Sequence, residues 1–267
     1  MITVVAVSGL ATVQDGGRHG YMHEGVPPGG PLVPELLARA NAAVGNEEHE
    51  AALELFGAIT LAATAGTLVA SDDGVPVELG AREPWRVDTA GARVRYVAVR
   101  GGIDVPRVLG GRGTLLVAGL GGHEGRALRP GDVLRLGEAG PPPRHPLPAA
   151  PDLEAAISVV LGPDLECFDP KALDVLLSGE FRVEVRSDRV GIRLTGPPLH
   201  RVRDDRGVSS PLVRGAIQVP PSETPIVLGP DHPTTGGYPV LAVVVVASLG
   251  ALGARPVGAI VRFVRTP

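Results

Sequence analysis

Residues Gly215–Ala242 read GAIQVPPSETPIVLGPDHPTTGGYPVLA, and their punctuation decides the fold. The apolar run 225–228 is framed by Pro, Ser and Glu on one side and by Gly229-Pro230 on the other, and a second apolar run begins at Leu241. Runs this short, cut by turn residues, predict β-strands joined by tight turns rather than helices. The same rhythm fills the chain, which carries 37 Gly and 27 Pro in 267 residues. Strand-like runs of Val, Ile and Leu fall at 2–7, 59–63, 67–70, 93–99, 133–136, 157–161, 182–185, 191–194, 225–228, 241–246 and 259–264. Together they predict an all-β protein with a few short helices, built as barrels or sandwiches.

Two segments carry helix signals instead. Residues 34–44, PELLARANAAV, open with Pro and Glu and stop before Gly45-Asn46, with Leu36, Leu37, Ala40 and Val44 on one face. Residues 169–177, DPKALDVLL, have an Asp N-cap followed by Pro. Residues 47–55 read as a third short helix, so that a helical insertion spans about 34–55.

Residues 137–152, GEAGPPPRHPLPAAPD, lack apolar periodicity and read as a stiff Pro-rich spacer. The expected organisation is a first barrel over 1–140, a linker over 141–152 and a second barrel over 153–267. Echoes across the spacer support a duplication: GGIDVP at 101–106 with GAIQVP at 215–220, LRPGDVLRL at 128–136 with ARPVGAIVRF at 254–263, and Arg18-His-Gly20 with Arg189-Val-Gly191.

Composition removes several function classes. A net charge of −4 leaves no basic field for nucleic acid. Cys167 is the single cysteine, so there is no disulfide framework or thiolate zinc site, and a reducing, cytoplasmic setting is expected. No apolar run reaches the roughly 18–20 residues that a membrane-spanning helix needs. The only lysine, Lys171, lies in DPKALD, which is not the context of a biotinylated lysine. Phosphate-loop, dinucleotide-fingerprint, zincin, nucleophile-elbow and EF-hand motifs are missing from the sequence, and the seven His are scattered, so no metal is expected.

Three constellations could carry chemistry. The glycine-rich stretch TVQDGGRHGY offers Gln14, Asp15, Arg18 and Tyr21, and glycine lets backbone approach a ligand closely while arginine can grip a carboxylate or phosphate bidentately. An Asp15–Arg18 pair pinning the loop is the plainer reading. In SDRVGIRL, Arg189 and Arg193 share one face of a strand and Asp188 the other, which suits either an anion site or a solvated face. In the opening stretch, Gln218 can donate and accept, Asp231 and His232 suit acid–base work, and the hydroxyls of Thr234 and Thr235 with the Gly236–Gly237 amides could surround an oxyanion. A self-capped turn is the plainer reading there.

TVQDGGRHGY, GVPPGG, ANAAVGN, LEL, GGIDVPRVLG, AGLGGHEGR, RPGDVLRL, SDRVGIRL, GAIQVP and DHPTTGGYPVLA occur in this order, and as an ordered set the chain resembles the biotin-dependent carboxyltransferase family, also called allophanate hydrolase subunit 2. That family includes the C-type subunit of bacterial 5-oxoprolinase, the corresponding region of urea amidolyase and the antagonist of the Kip kinase inhibitor. The resemblance implies two cyclophilin-like β-barrel domains related by pseudo-twofold symmetry. It also implies a tight hetero-oligomer with a B-type subunit, an A-type subunit that completes the reaction, and ATP-dependent conversion of 5-oxoproline to glutamate, with ATP shared with the partner. From the side-chain chemistry above, the expected catalytic residues are Gln218, Asp231, Thr234 and Thr235, and the expected substrate-binding residues are Gln14, Asp15, Arg18, Asp188, Arg189 and Tyr238. The alternatives under the resemblance are a urea or amide carboxylase component that accepts carboxybiotin, and a non-enzymatic regulatory partner of a Kip-type inhibitor. The chain departs from the family pattern at Pro31-Leu32-Val33, Gly110-Gly-Arg-Gly-Thr114, Ser210-Pro211-Leu212 and Glu223-Thr-Pro-Ile226, where polar side chains are replaced.

Overall fold

The structure, a computed structural model, describes residues 1–140, 146–202 and 209–266; residues 141–145 of the expected linker lie outside the described residues. The chain divides into two compact units, Met1–His19 with Gly29–Pro151, and Gly20–Pro28 with Asp152–Pro267.

In the first unit, β1 (Ile2–Gln14), β2 (Ala52–Ala63), β3 (Thr67–Ser71), β4 (Pro76–Leu79), β5 (Pro84–Asp88), β6 (Arg95–Val99) and β7 (Val133–Leu134) form one sheet in the order β4-β3-β6-β2-β1-β7, with β5 also on β2. β1 and β2 run antiparallel along their whole length, and β2 forks, pairing β6 through Leu53–Leu55 and β5 through Ala58–Ala62. A glycine pair lets both long strands bend at the fork. Gly9 faces Gly57 in register, and a Cβ on either would lie 2.1 Å from the carbonyl oxygen of Phe56 or Ser8. The core lies on one face of this curled sheet, around Ile2, Val4, Leu53, Leu55, Ile59, Leu61, Val97 and Val99.

Helix α1 (Pro34–Val44) buries Leu36, Leu37, Ala40 and Val44 and packs against β6 and β3. Gly45, at φ 74°, ends it by donating to Asn41 and Ala42 carbonyls. The helical insertion expected to continue to residue 55 stops there. Ala52–Leu55 instead open β2, because cross-strand pairing with β1 and β6 outweighs the local helical preference of this Ala/Leu/Glu run.

In the second unit, β8 (Ile157–Leu161), β9 (Phe181–Val183), β10 (Gly191–Thr195), β12 (Ala216–Gln218), β13 (Ile226–Leu228), β15 (Val240–Val244), β16 (Ile260–Val261) and β17 (Phe263–Arg265) form a sheet in the order β16-β9-β10-β13-β12-β15-β8-β17. Its two edge strands are neighbours in sequence, separated by Arg262 alone, so the chain itself closes the sheet into a barrel. Two short strands, β11 (Ser210–Pro211) and β14 (Thr235–Gly236), pair separately. The barrel core gathers Ile157, Val159, Phe181, Leu194, Ile217, Leu241 and Phe263, with Phe181 and Phe263 edge to face at 5.9 Å.

Helix α2 (Ala172–Ser178) starts three residues after Asp169, whose carboxylate accepts from the Lys171 amide at 2.8 Å. Helix α3 (Val246–Ala254) begins at the last residue of the 241–246 run read as strand and was not expected. Apart from Ser248, VASLGALGA is apolar, so it has no polar face from which a helical period could be read. Two of the echoed segments begin alike: Gly101 sits at φ 86° and Gly215 at φ 88°. The described residues hold no helix long and apolar enough to cross a membrane.

Candidate functional site

In the second unit the SDRVG turn and the GPDHP loop fasten to each other. The Gly229 amide donates to the Val190 carbonyl at 2.9 Å and the Asp231 amide to the Arg189 carbonyl at 3.1 Å. The Arg189 guanidinium then donates to both Asp231 oxygens, Nε to Oδ2 at 2.7 Å and Nη2 to Oδ1 at 2.9 Å, with both residues buried. Asp188 is exposed, and its Oδ1 accepts from the Val190 and Gly191 amides at 2.9 and 3.0 Å, holding the turn that aims Arg189 inward. His232 is fully enclosed, its Nδ1 2.8 Å from the Pro233 carbonyl. Burial pushes its pKa below the ordinary imidazole value, and nearby Arg214 pushes the same way.

Gln218 ends β12 with its Nε2 donating to the Tyr238 carbonyl at 3.1 Å, and a Cβ at Gly236 would come within 3.1 Å of that nitrogen. Thr235 lies exposed in β14, and the Thr234 carbonyl accepts from the Leu212 amide at 2.9 Å. The segment is thus a braced loop whose Asp, His and Gln point into structure, while Thr235 stays at the surface.

In the first unit, Asp15 leaves the end of β1 and collects three backbone amides: Gly17 at 2.9 Å, Gly113 at 3.0 Å and Arg112 at 2.5 Å. Asp15 and Arg18 each bind backbone. Arg18 is 2% exposed, with its Nη2 donating to the Gly113 carbonyl and Nε to Val108 O at 3.5 Å. Gln14 donates to Thr114 O at 3.1 Å and Thr12 Oγ1 at 3.2 Å, and its Oε1 is buried without a hydrogen-bond partner among the described residues. Glycines let these loops stack. A Cβ at Gly111 would lie 2.8 Å from Gly17 O, at Gly113 2.8 Å from Gln14 Oε1, and at Gly121 2.2 Å from Gly113 O. A side chain at 111 or 113 would press on these layers, which glycine leaves free to approach.

Beside this stack open two clefts that share Arg107 and Arg112. The larger, about 690 Å³, lies between Asp104–Val108 and the Gly121–Gly125 turn and also takes in Arg135. The smaller, about 430 Å³, is lined by Gly16, His19, Glu47, His49 and Glu50. Arg112 stands between them, Nη2 3.5 Å from Asp104 and Nη1 3.7 Å from Glu50. At the rim, Arg126 grips Asp132 through two hydrogen bonds of 2.8 and 2.9 Å and holds its carboxyl down to about 2. Neither Arg107 nor Arg112 stood out as a site residue in the sequence. Arg107 lies in the motif GGIDVPRVLG, and Arg112 in Gly110-Gly-Arg-Gly-Thr114, between that motif and AGLGGHEGR; nothing else in the sequence marked them.

Among the described residues no cluster of three or more His, Cys, Asp or Glu is placed to hold a metal ion. Each unit therefore presents a buried arginine held by glycine-rich turns, together with polar groups suited to binding anions and amides.

A fold of this kind, with these motifs, defines a class. The carboxyltransferase domain family (subdomain A and B) matches residues 24–265, and the chain belongs to it. Its relatives include the C-type subunit of 5-oxoprolinase from Escherichia coli, 35% identical over 286 residues that cover 99% of this chain and 91% of that protein. The urea amidolyase of Lachancea kluyveri is 32% identical over 304 residues, 98% of this chain but 17% of that protein. Among solved structures, the Kluyveromyces lactis urea carboxylase superposes with a TM-score of 0.87 at 28% identity, covering all of this chain and 27% of that one. The chain therefore spans about a quarter of the carboxylase polypeptide and nearly the full length of the 5-oxoprolinase component.

Proposed function

We propose that this chain is the C-type subunit of an ATP-dependent 5-oxoprolinase, a hydrolase that opens the cyclic amide of 5-oxoproline to give glutamate. The observation that carries the reading is end-to-end similarity to a protein named as the C-type 5-oxoprolinase subunit, with 99% of this chain and 91% of that protein aligned. Against urea amidolyase the chain matches only an internal part of a much larger protein. In this reading the chain acts with B-type and A-type subunits in the cytoplasm, and ATP is a substrate handled with the partner. Biotin enters only in the carboxylase reading.

The residues sort by how they are held. Asp15, Arg18, Asp188, Arg189 and Asp231 are positioning residues, because each is committed to backbone or to another of the set. Thr234, Thr235 and Tyr238 are the neutral donors and acceptors suited to orienting an amide, while the amide nitrogens of Gln14 and Gln218 are already given to backbone carbonyls, which makes these two supports of the same loops. The three would align the amide carbonyl for attack without taking its charge.

The test is reconstitution. The chain is co-purified with B-type and A-type subunits from the same genome, and glutamate release is followed with 5-oxoproline and ATP. Glutamate formation coupled to ATP consumption is the expected result. A stable complex without 5-oxoproline-dependent ATP turnover would sink the assignment.

A further inference from the structure

We propose that the larger cleft of the first unit is an oxyanion-binding site that takes a carboxylate or phosphate group through Arg107, Arg112 and Arg135. The proposal does not rest on the reaction assigned above.

Three arginines line this cleft, against two acids, Asp104 and Glu124. Glu124 is already neutralised by Arg126, at 2.8 and 3.1 Å. Asp104 reaches Arg112 only at 3.5 Å, the long limit of a hydrogen bond, so an incoming oxyanion can replace it. Arg107 is exposed and donates once, to Gly110 O at 3.2 Å. Arg135 is exposed and has no side-chain hydrogen bond or ion pair among the described residues. Two guanidiniums without a carboxylate thus face one concavity, beside a third whose acidic contacts are loose. Planar guanidinium groups suit the two-oxygen edge of a carboxylate or phosphate.

The opposite wall adds donors. Gly121, Gly122, Glu124 and Gly125 all adopt positive φ, from 55° to 69°. Turns of this kind bring successive N–H groups together into anion-binding concavities. The amides of His123 and Glu124 make no hydrogen bond to the protein among the described residues. Glu124 is one of few non-glycine residues at positive φ, an arrangement that costs energy and tends to collect at ligand sites. The volume, about 690 Å³, suits a small molecule with one anionic end.

The experiment titrates the purified full chain at low ionic strength with pyrophosphate, inorganic phosphate and 5-oxoproline in separate runs, read by calorimetry or by amide chemical shifts. Saturable binding of at least one is expected, weakened about tenfold or more in Arg107→Gln/Arg135→Gln, since charge-assisted guanidinium contacts to an oxyanion are among the strong hydrogen bonds. An Arg265→Gln control in the second unit should bind within about twofold of the parent, as surface charges off the site contribute little. Tighter binding of pyrophosphate supports the site with a phosphate ligand, and tighter binding of 5-oxoproline supports it with a carboxylate. The proposal is overturned if no ligand saturates, if the double variant keeps its thermal midpoint and binds like the parent, or if Arg265→Gln loses as much as the double variant.

Discussion

Arg189 and Asp231 meet edge to edge, 42 residues apart in sequence, through two parallel hydrogen bonds of 2.7 and 2.9 Å, with side chains only 5% and 7% exposed. The pair closes a bracket that backbone bonds between the same two loops begin. Asp231 reads from sequence as an acid–base group. In the structure both of its oxygens accept from one guanidinium, which makes it an anchor of the loop that carries Thr234 and Thr235.

Asp231→Asn should therefore act first on stability. Removing one partner of a buried, bidentate pair leaves a guanidinium without its counter-charge and costs about 3–5 kcal/mol. Urea unfolding of the variant checks this. Catalysis in the reconstituted complex should fall with the folded fraction and no further. A fully folded Asp231→Asn protein with abolished turnover would return the residue to the chemistry.

Asp15 makes the corresponding bracket in the first unit, but to backbone. Asp15→Ala removes an acceptor from three amides at once and should destabilise by about 1–3 kcal/mol for each amide left dry. Hydrogen exchange reads the effect locally: the Arg112 and Gly113 amides should lose protection, while those of the β1–β2 ladder keep it.

The strand-rich architecture was legible because Gly and Pro cut the apolar runs to strand length, as at 157–161 before Gly162-Pro163 and at 225–228 before Gly229-Pro230. What failed was the reading of segments whose structure is set from afar. Ala52–Leu55 look helical, yet β1 and β6 hold them in a sheet. Val246–Ala254 follow the 241–246 strand run with no helix signal of their own, because a helix with Ser248 as its one polar side chain has no polar face to betray it. The sites divide the same way. The glycine loops follow from local sequence, but Arg189 and Arg193, expected on one face of a strand, are parted: β10 starts only at Gly191, so Arg189 lies buried in the turn that Asp188 holds and Arg193 is exposed in the strand. Asp231 with Arg189, and Asp15 with Arg112, are pairings across 42 and 97 residues that no local pattern encodes. The cleft arginines went unread because an exposed arginine in a loop looks the same whether or not a cavity lies beside it.

The Gly9–Gly57 pair predicts a sharp steric cost. In Gly57→Ala the new Cβ would lie 2.1 Å from the Ser8 carbonyl oxygen, at φ 133° where side chains are strained. Backbone strain and overpacking together should cost about 2–6 kcal/mol. Gly66→Ala is the control: a Cβ there meets nothing within 4 Å, and the change should stay within about 0.5 kcal/mol. Parallel thermal melts compare the two. An unshifted midpoint in Gly57→Ala would mean that the long strands do not approach as described.

Acid sensitivity falls in two pH windows, an upper one set by His232 and a lower one to which Asp132 and Glu223, both held below their ordinary values, contribute. Burial, then Arg214, lowers the folded-state pKa of His232 below its ordinary 6.5. The unfolded chain then binds the proton more tightly, so the stability this group contributes is present above about pH 6.5 and is lost as pH falls through the folded value. Asp132 acts lower down. The hydrogen bonds from Arg126 hold its carboxyl at about 2, against an ordinary 3.8, so its contribution is complete above about pH 4 and disappears between about pH 4 and 2. Thermal midpoints followed from pH 7.5 to 3 should decline first through the imidazole range and again below about pH 4. His232→Gln should flatten the first decline and leave the second, and Asp132→Asn should reduce the second, which Glu223 shares, and leave the first. His232 and Asp132 lie in different units, each with its own core, which keeps the effects of the two variants separable. NMR titration of the His232 ring supplies the direct check: a value at or above 6.5 would show that the enclosed imidazole does not resist protonation, and the upper window would then need another source.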